Sequence, residues 1–204
     1  MAASPSAPKT PDAPVASPSG VLEAVSATGT EGRRTWRFTS EGAGHVYVLA
    51  DAAPAVVEKG PRDDWFLVGA NGRASALTVP PGTSLASDTG RLVLRAPVGP
   101  VIAQESSPLL TASWVDRQGE KSLRVKPAEV AREWASSAAQ DAMWAELVHA
   151  APAAATPGMC DQLVCHMMFA PTKTAWFLEP DRPAVGFAAT VAARCNPGNV
   201  ADGG

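Results

Sequence analysis

The sequence predicts an α+β protein with a β-rich, sandwich-like body, one long helix and a small disulfide-stapled C-terminal unit. Three observations support this fold class. Between residues 21 and 126, short apolar runs alternate with turn residues at intervals of about eight to twelve positions, which is typical of a β-sandwich or open barrel. From residue 127 the apolar spacing becomes helical. All three cysteines follow residue 159, which indicates a stapled end.

Residues 1–20 are rich in Ala, Pro and Ser and lack the apolar core of a signal peptide. Such a composition cannot bury enough surface to fold alone, so we predict a disordered tail. We interpret it as the stalk that remains after a signal peptide, absent from this chain, has been removed. The alternative is a segment that becomes ordered when it binds a partner, at a sheet edge or in a groove.

The β-rich domain is predicted over residues 21–126. Residues 34–38 alternate polar and aromatic side chains, and residues 65–68 are followed by Asn71-Gly72, a hairpin-turn signal. Pro80-Pro81-Gly82 ends the run at residues 76–79. Further strand-sized runs occupy residues 45–49, 92–94, 101–102, 109–115 and 123–125.

The sequence predicts a single helix over residues 127–149. This helix forms the connector, residues 127–150, between the β-rich domain and the C-terminal unit. Pro127 suits a first helical position, and Trp134, Trp144 and Leu147 belong to an apolar stripe of roughly helical period. We expect this stripe to pack on the C-terminal unit, on the β-rich domain, or on both. Pro157-Gly158 is predicted to form the hinge into the C-terminal unit.

The C-terminal unit is predicted over residues 151–204. The apolar spacing at residues 161–170 predicts a short helix, which Pro171 ends because proline cannot continue the hydrogen-bond ladder. Residues 175–178 are predicted to be extended. Residues 186–194 are ambiguous between a small-residue helix and a buried strand, and the flanking Pro and Gly residues favour the strand.

Three cysteines allow three pairings, and a bond between Cys160 and Cys165 is geometrically awkward if both lie on one helix. We favour Cys165–Cys195. On the chain-entropy account, that bond contributes roughly 3–4 kcal/mol of stability. Cys160 then remains as a free thiol or an intermolecular partner.

The C-terminal residues resemble a family of secreted actinobacterial domains of unknown function. Its signature is a Cys-His pair, a downstream Trp-x-Leu-Glu-Pro followed by Arg-Pro, and a terminal Cys-Asn-Pro. The matching positions are Cys165, His166, Phe169, Ala170, Pro171, Lys173, Trp176, Leu178, Glu179, Pro180, Arg182, Pro183 and Cys195-Asn196-Pro197. The resemblance implies an exported protein with the Cys165–Cys195 bond, and it implies no activity.

Candidate site residues cluster in the same segment. His166 with Glu179 or Asp181 would make a base and its orienting acid, but no nucleophile motif accompanies them, so we predict no catalytic residue. Glu179 and Arg182 are expected to pair across a turn. Trp176 and Phe177 alternate in direction if the segment is extended, so we expect one of the two rings to be exposed for binding.

The charge balance is mildly acidic, with a net charge of −3, and gives no basic footprint for nucleic acid. No apolar run is long enough to span a membrane. The cysteines, His166 and the methionines form no closed metal pattern, so we predict neither a metal nor a cofactor.

The sequence therefore predicts a secreted, non-enzymatic interaction protein, an adaptor that engages a protein partner, partly through its tail. A subunit of an extracellular toxin or lectin assembly is one form of this prediction. Two alternatives remain. A carbohydrate- or cell-wall-binding module would use Trp176, Trp65 or Trp36, and a small polysaccharide hydrolase would use Glu179, Asp181 and His166.

Overall fold

A computed structural model describes residues 22–29, 33–42, 45–50, 54–60, 64–69, 71–117 and 119–198. The predicted tail at residues 1–20 lies outside this range. The fold is α+β, with a sandwich-like body and a disulfide near the C-terminus, as the sequence predicts. None of the helices in the described residues is long and apolar enough to cross a membrane.

Two sheets, in residues 22–106, form the sandwich. Its strands are β1 (Leu22–Val25), β2 (Arg33–Ser40), β3 (Val46–Leu49), β4 (Pro54–Lys59), β5 (Asp64–Gly69), β6 (Ala74–Thr78), β7 (Ser84–Asp88), β8 (Arg91–Arg95) and β9 (Gly99–Ser106). One sheet has the order β1-β3-β8-β7 and the other β2-β9-β6-β5-β4. Strands β1 and β3 pair in parallel, and the remaining pairs are antiparallel.

Apolar side chains from both sheets fill the space between them, because alternate residues of each strand point inward. Trp36, Leu77, Leu92 and Leu94 are fully buried there. The turn between β7 and β8 has positive φ angles at Thr89 and Gly90, 47° and 76°. That backbone matches the twist of a two-residue hairpin.

The second unit, residues 109–198, contains a three-stranded antiparallel sheet and three α-helices. From here on, the C-terminal unit means these residues. Its elements are β10 (Leu109–Arg117), β11 (Glu120–Pro127), α1 (Ser137–Ala150), α2 (Pro157–Phe169), β12 (Trp176–Leu178) and α3 (Phe187–Ala192). The sheet order is β10-β11-β12. The domain boundary predicted at residue 126 lies inside β11, so the predicted β-rich domain takes in β10 and most of β11, which belong to this sheet. One face of this sheet, with Leu123, Val125 and Trp176, packs on α1 and α2.

The single helix predicted over residues 127–149 is wrong. Pro127 ends β11, a one-turn 3-10 helix spans Val130–Glu133, and Trp134 is extended. Helix α1 begins only at Ser137, where the side chain of Ser136 accepts a hydrogen bond from the Ala139 amide. The interruption has a physical cause, because the extended backbone lets Trp134 reach the sandwich. Its indole N–H donates to Asp64 at 3.0 Å, and its ring meets Phe66 edge-on.

Helix α1 packs on both the sandwich and the three-stranded sheet, which is one of the three arrangements expected from the sequence. Ala139 and Ala142 lie against β5 and β6 of the sandwich, and Met143 and Leu147 lie against the three-stranded sheet. Glu146 is buried between them. Its carboxylate accepts from the Arg73 guanidinium at 2.6 Å and from the Ala74 amide at 2.9 Å. One helix therefore joins the two units through apolar and charged contacts.

Two C-terminal predictions also need correction. The predicted hinge at Pro157-Gly158 is the first turn of α2, where Thr156 caps the helix and Pro157 occupies the first position. The strand favoured at residues 186–194 is helix α3. Gly186, with a φ of 83°, turns the chain into this helix, and its carbonyl accepts from the Thr190 hydroxyl. Alanine-rich segments favour a helix when no neighbouring strand pairs with them.

Candidate functional site

The disulfide bond between Cys165 and Cys195 joins α2 to the segment after α3, with 5.4 Å between the Cα atoms. It is the pairing that the sequence predicts. Arg194 and Cys195 both have positive φ angles, 54° and 67°, which end α3 and direct the chain back towards α2. The Cys195 amide donates to the Thr190 carbonyl in the same turn. The bond therefore fixes the C-terminal end of α3 on the core of the unit.

The Gln162 side chain makes strand-like hydrogen bonds to the backbone of Glu179, the residue that follows β12. Its amide nitrogen donates to the Glu179 carbonyl at 3.0 Å, and its amide oxygen accepts from the Glu179 N–H at 2.9 Å. Gln162 is almost fully buried on α2. A side-chain amide carries one donor and one acceptor, so it replaces the backbone of a neighbouring strand. This contact aligns the segment from Glu179 onward with α2.

Glu179 and Arg182 pair as predicted, with 2.8 Å between Nε and the carboxylate. Arg182 also lies 3.6 Å from Glu120, and Arg117 lies 3.9 Å from Glu179. Glu120, Glu179 and Arg182 line a cleft of about 190 Å³, together with Lys121, Asp181, Pro183 and Gly198. Because arginines already occupy the Glu179 carboxylate, this arrangement resembles a structural network more than an acid–base site.

His166 is more than nine-tenths buried, and its ring stacks on Trp176 with centroids 6.3 Å apart. Its Nδ1 has no hydrogen-bond partner in the described part of the chain. Burial and the nearby Lys173 charge lower the pKa of His166 to about 4, against smaller opposing effects of the Phe177 backbone and Glu179. The structure pairs it with neither Glu179 nor Asp181, and Glu179 is bound to Arg182 instead. His166 is therefore a neutral packing residue at pH 7.

Trp176 and Phe177 do point in opposite directions. Trp176 is fully buried, and its indole N–H donates to the Ala170 carbonyl at 3.0 Å. Phe177 is half-buried, with the Arg117 guanidinium 4.7 Å from its ring centroid. The binding role considered for Trp176 is therefore wrong, and so is that of Trp36, which lies in the sandwich core. Trp65 is half-buried and packs against the same core.

Cys160 is a free, half-buried cysteine on α2. Burial raises the pKa of its thiol, and the carboxylates of Asp161 and Asp141 raise it further. A protonated thiol is a weak nucleophile and a weak ligand. Within the described residues, no group of three His, Cys, Asp or Glu side chains is placed to hold a metal ion. Met159 and Met167 lie in the apolar core instead.

An apolar surface lies on and before α3. From Pro183 to Ala193 the chain contains no charged residue, and most of these side chains are exposed. We call the exposed residues Val185, Phe187, Ala188, Ala189 and Ala192 the α3 surface. Val185, which precedes α3, and Phe187, its first residue, are 45% and 37% exposed.

The sequence reasoning missed the α3 surface. A buried strand was favoured for residues 186–194, and a buried strand has no exposed face. The uncharged run from Pro183 to Ala193 was the available signal, because exposed apolar segments mark contact sites more often than solvated loops.

Comparison with known proteins relates part of this chain to other chains. Residues 110–198 match a family described as "Protein of unknown function (DUF2599)". Over 103 residues the chain is 41% identical to uncharacterized protein Rv0477 of Mycobacterium tuberculosis and, equally, to uncharacterized protein Mb0487 of Mycobacterium bovis. Each alignment covers 46% of this chain and 70% of the relative. No solved structure matches at a significant level. The chain therefore belongs to the DUF2599 family of proteins of unknown function.

Proposed function

We propose that the protein is a secreted, non-enzymatic adaptor whose C-terminal unit engages a protein partner through the α3 surface. The observation that carries the proposal is the exposure of Val185 and Phe187 within a run that has no charge. Removing such side chains from water stabilises a complex by about 25 cal/mol per Å² of apolar surface. Small residues beside them allow a partner helix to approach closely.

The α3 surface is held at both ends, which lowers the entropy that binding would cost. At the C-terminal end, the disulfide fixes Cys195 to α2. At the N-terminal end, the chain crosses Gly158 so closely that an added Cβ there would lie 3.4 Å from the Arg182 carbonyl oxygen. Arg182 is itself bound to Glu179. The surface is therefore preorganised for a partner.

Secretion is supported by the disulfide, because such bonds persist in oxidising compartments. The resemblance to secreted actinobacterial domains agrees with the mycobacterial relatives. An adaptor in an extracellular toxin or lectin assembly is a specific form of this proposal. The hydrolase alternative is weaker, because the carboxylate of Glu179 is occupied by arginines.

The proposal is tested by partner capture from the culture supernatant of the source organism, with the tagged full chain as bait. Phe187→Glu places a charge on the α3 surface and should abolish capture of a stoichiometric partner. Ile102→Glu is the matched control, because Ile102 is an exposed apolar residue of the sandwich. It should capture as the wild type does.

A chain lacking residues 1–20 tests the tail separately. Loss of the partner in this variant, with Phe187→Glu still active, would assign the contact to the tail and overturn the proposed site. Equal capture by the wild type and Phe187→Glu would also overturn it.

A further inference from the structure

The three-stranded sheet has one covered face and one open face. Residues paired across antiparallel strands point to the same side, so the register separates the two faces. Val125, paired with Trp176, and Leu123, paired with Leu178, face α1 and α2. We call the opposite side the outer face. Its residues include Thr111, Ser113, Arg117, Glu120, Arg124, Lys126 and Phe177.

The strands carry three cations on the outer face, Arg117, Arg124 and Lys126, and one acid, Glu120, so this face is net positive on a chain with a net charge of −3. Arg117, Arg124 and Lys126 are all exposed. Within the described part of the chain, neither Arg124 nor Lys126 has an acidic partner. Unpaired cations on a rigid surface create a local positive potential that attracts anions. Nothing in the packing of the unit requires these two charges.

The three cations are spaced along the strands. Arg124 and Lys126 are two positions apart on β11, which corresponds to roughly 7 Å. Arg124 is opposite Ser113, and Arg117 lies four positions further along β10, at about 13 Å. The Arg117 guanidinium stays in place because it stacks on Phe177 and lies 3.9 Å from Glu179. The hydroxyls of Thr111 and Ser113 are exposed beside Arg124 and Lys126.

We propose that the outer face binds an acidic polysaccharide, with Arg124 and Lys126 contacting its carboxylates and the Thr111 and Ser113 hydroxyls contacting sugar hydroxyls. A row of cations with interleaved hydroxyl groups complements a flat polymer that carries both anionic and hydroxyl groups. This site uses neither Trp176 nor Trp36, the buried residues on which a stacking mode would depend. It is independent of the α3 surface.

Other polyanions fit the outer face less well. An acidic peptide that added a strand beside β12 would compete with Gln162, which already occupies the backbone groups of Glu179 next to that strand. A nucleic acid would need free aromatic rings for its bases, and Arg117 covers the ring of Phe177. These two polymers become rival ligands in the test.

The test measures binding of the full, oxidised chain to polygalacturonate at low and at physiological salt, with neutral dextran as the reference. We expect saturable binding to polygalacturonate that weakens with salt, and none to dextran. Arg124→Gln combined with Lys126→Gln should weaken binding on the order of tenfold, because the two lost contacts are exposed charge contacts, which are individually weak. Arg37→Gln with Arg91→Gln is the matched control, because both arginines are exposed in the sandwich and the net charge is the same.

Absence of binding to polygalacturonate would overturn the proposal. So would equal losses in the two double variants, because net charge would then explain the attraction. Binding to polyglutamate or to duplex DNA at least as tight as to polygalacturonate would also overturn it. Unchanged thermal unfolding of both double variants shows that the comparison concerns binding and not folding.

Discussion

The sandwich and the C-terminal unit are stabilised in different ways. The sandwich buries Trp36, Leu77 and Leu92 between two sheets and contains no cysteine. The C-terminal unit packs one face of a three-stranded sheet on two helices and adds specific cross-links to its apolar core. These are the Cys165–Cys195 disulfide and the Gln162 amide pair.

This difference bears on the proposed contact surface. In the sandwich, strand pairing within two sheets determines the fold. In the C-terminal unit, each cross-link positions a particular exposed segment, and the segment after Glu179 leads to the α3 surface. The DUF2599 match covers the cross-linked unit and not the sandwich. The proposed contact surface therefore lies in the unit that the family match covers.

Removing the disulfide should have the largest effect. Cys165→Ala with Cys195→Ala releases a loop of 30 residues, and the free energy of unfolding of the C-terminal unit should fall by roughly 3–4 kcal/mol. Urea unfolding followed by near-UV circular dichroism measures the change. Cys160→Ala is the control and should stay within about 1 kcal/mol of the wild type, because this free thiol is half-buried. An equal loss in the sandwich would erase the distinction between the units.

Acid should destabilise the C-terminal unit through His166. Its folded-state pKa of about 4 lies below the ordinary value of 6.5, so the unfolded chain binds more protons between these values. The contribution of His166 to the free energy of unfolding is fully present above pH 6.5. It decreases as the pH falls towards 4, by about 3 kcal/mol in total. Urea midpoints measured from pH 7 to 4 report this loss. His166→Phe should flatten the curve, and exposed His149→Gln should not. A curve unchanged in His166→Phe would contradict the prediction.

Breaking the Gln162 contact should cost less. Gln162→Met keeps the length of the side chain but leaves both the Glu179 N–H and carbonyl unpaired, for a loss of about 2 kcal/mol. Amide hydrogen exchange at Glu179 should accelerate together with the loss of stability. Gln140→Met is the control, because Gln140 makes one exposed hydrogen bond to Ala135. A protected Glu179 amide in Gln162→Met would show that another group holds this segment.

The smallest effect concerns the junction of the two units. Glu146→Gln retains an acceptor for the Ala74 amide but weakens the contact with Arg73, so unfolding should become easier by about 1 kcal/mol. Calorimetry should then show a broader transition, because the units become less coupled. Exposed Glu41→Gln should leave the transition unchanged. A sharper transition in Glu146→Gln would mean that the buried charge pair does not couple the units.

The sequence predicted the sandwich because its strands end at strong turn signals such as Asn71-Gly72. It failed at Pro127, because proline suits both a helix start and the end of a strand, and the pairing of Pro127 with Leu109 of β10 decides between them. It also failed at Trp134, whose helical spacing is overridden by the hydrogen bond to Asp64. Neither contact is local, so no pattern within the segment reveals it.

In the candidate site, the Cys165–Cys195 and Glu179–Arg182 pairs were predictable because pairing chemistry depends on residue type and spacing. The burial of Trp176 was not predictable, because either of two adjacent aromatic residues can face the core. The outer face had a readable signal, since Arg124 and Lys126 alternate with apolar Leu123 and Val125. The sequence alone does not show that this face is open, because that depends on α1 and α2 covering the opposite face of the sheet.

The central claim is that α3 is the contact surface for a protein partner. The most direct measurement places a photo-crosslinking amino acid at Ala189 of the full chain and, as the reference, at Ile102, both exposed. Each protein is irradiated in native supernatant, and its adducts are identified by mass spectrometry. The account predicts one dominant partner adduct at Ala189 and none at Ile102. An adduct at Ile102 alone, or the same adducts at both positions, would contradict it.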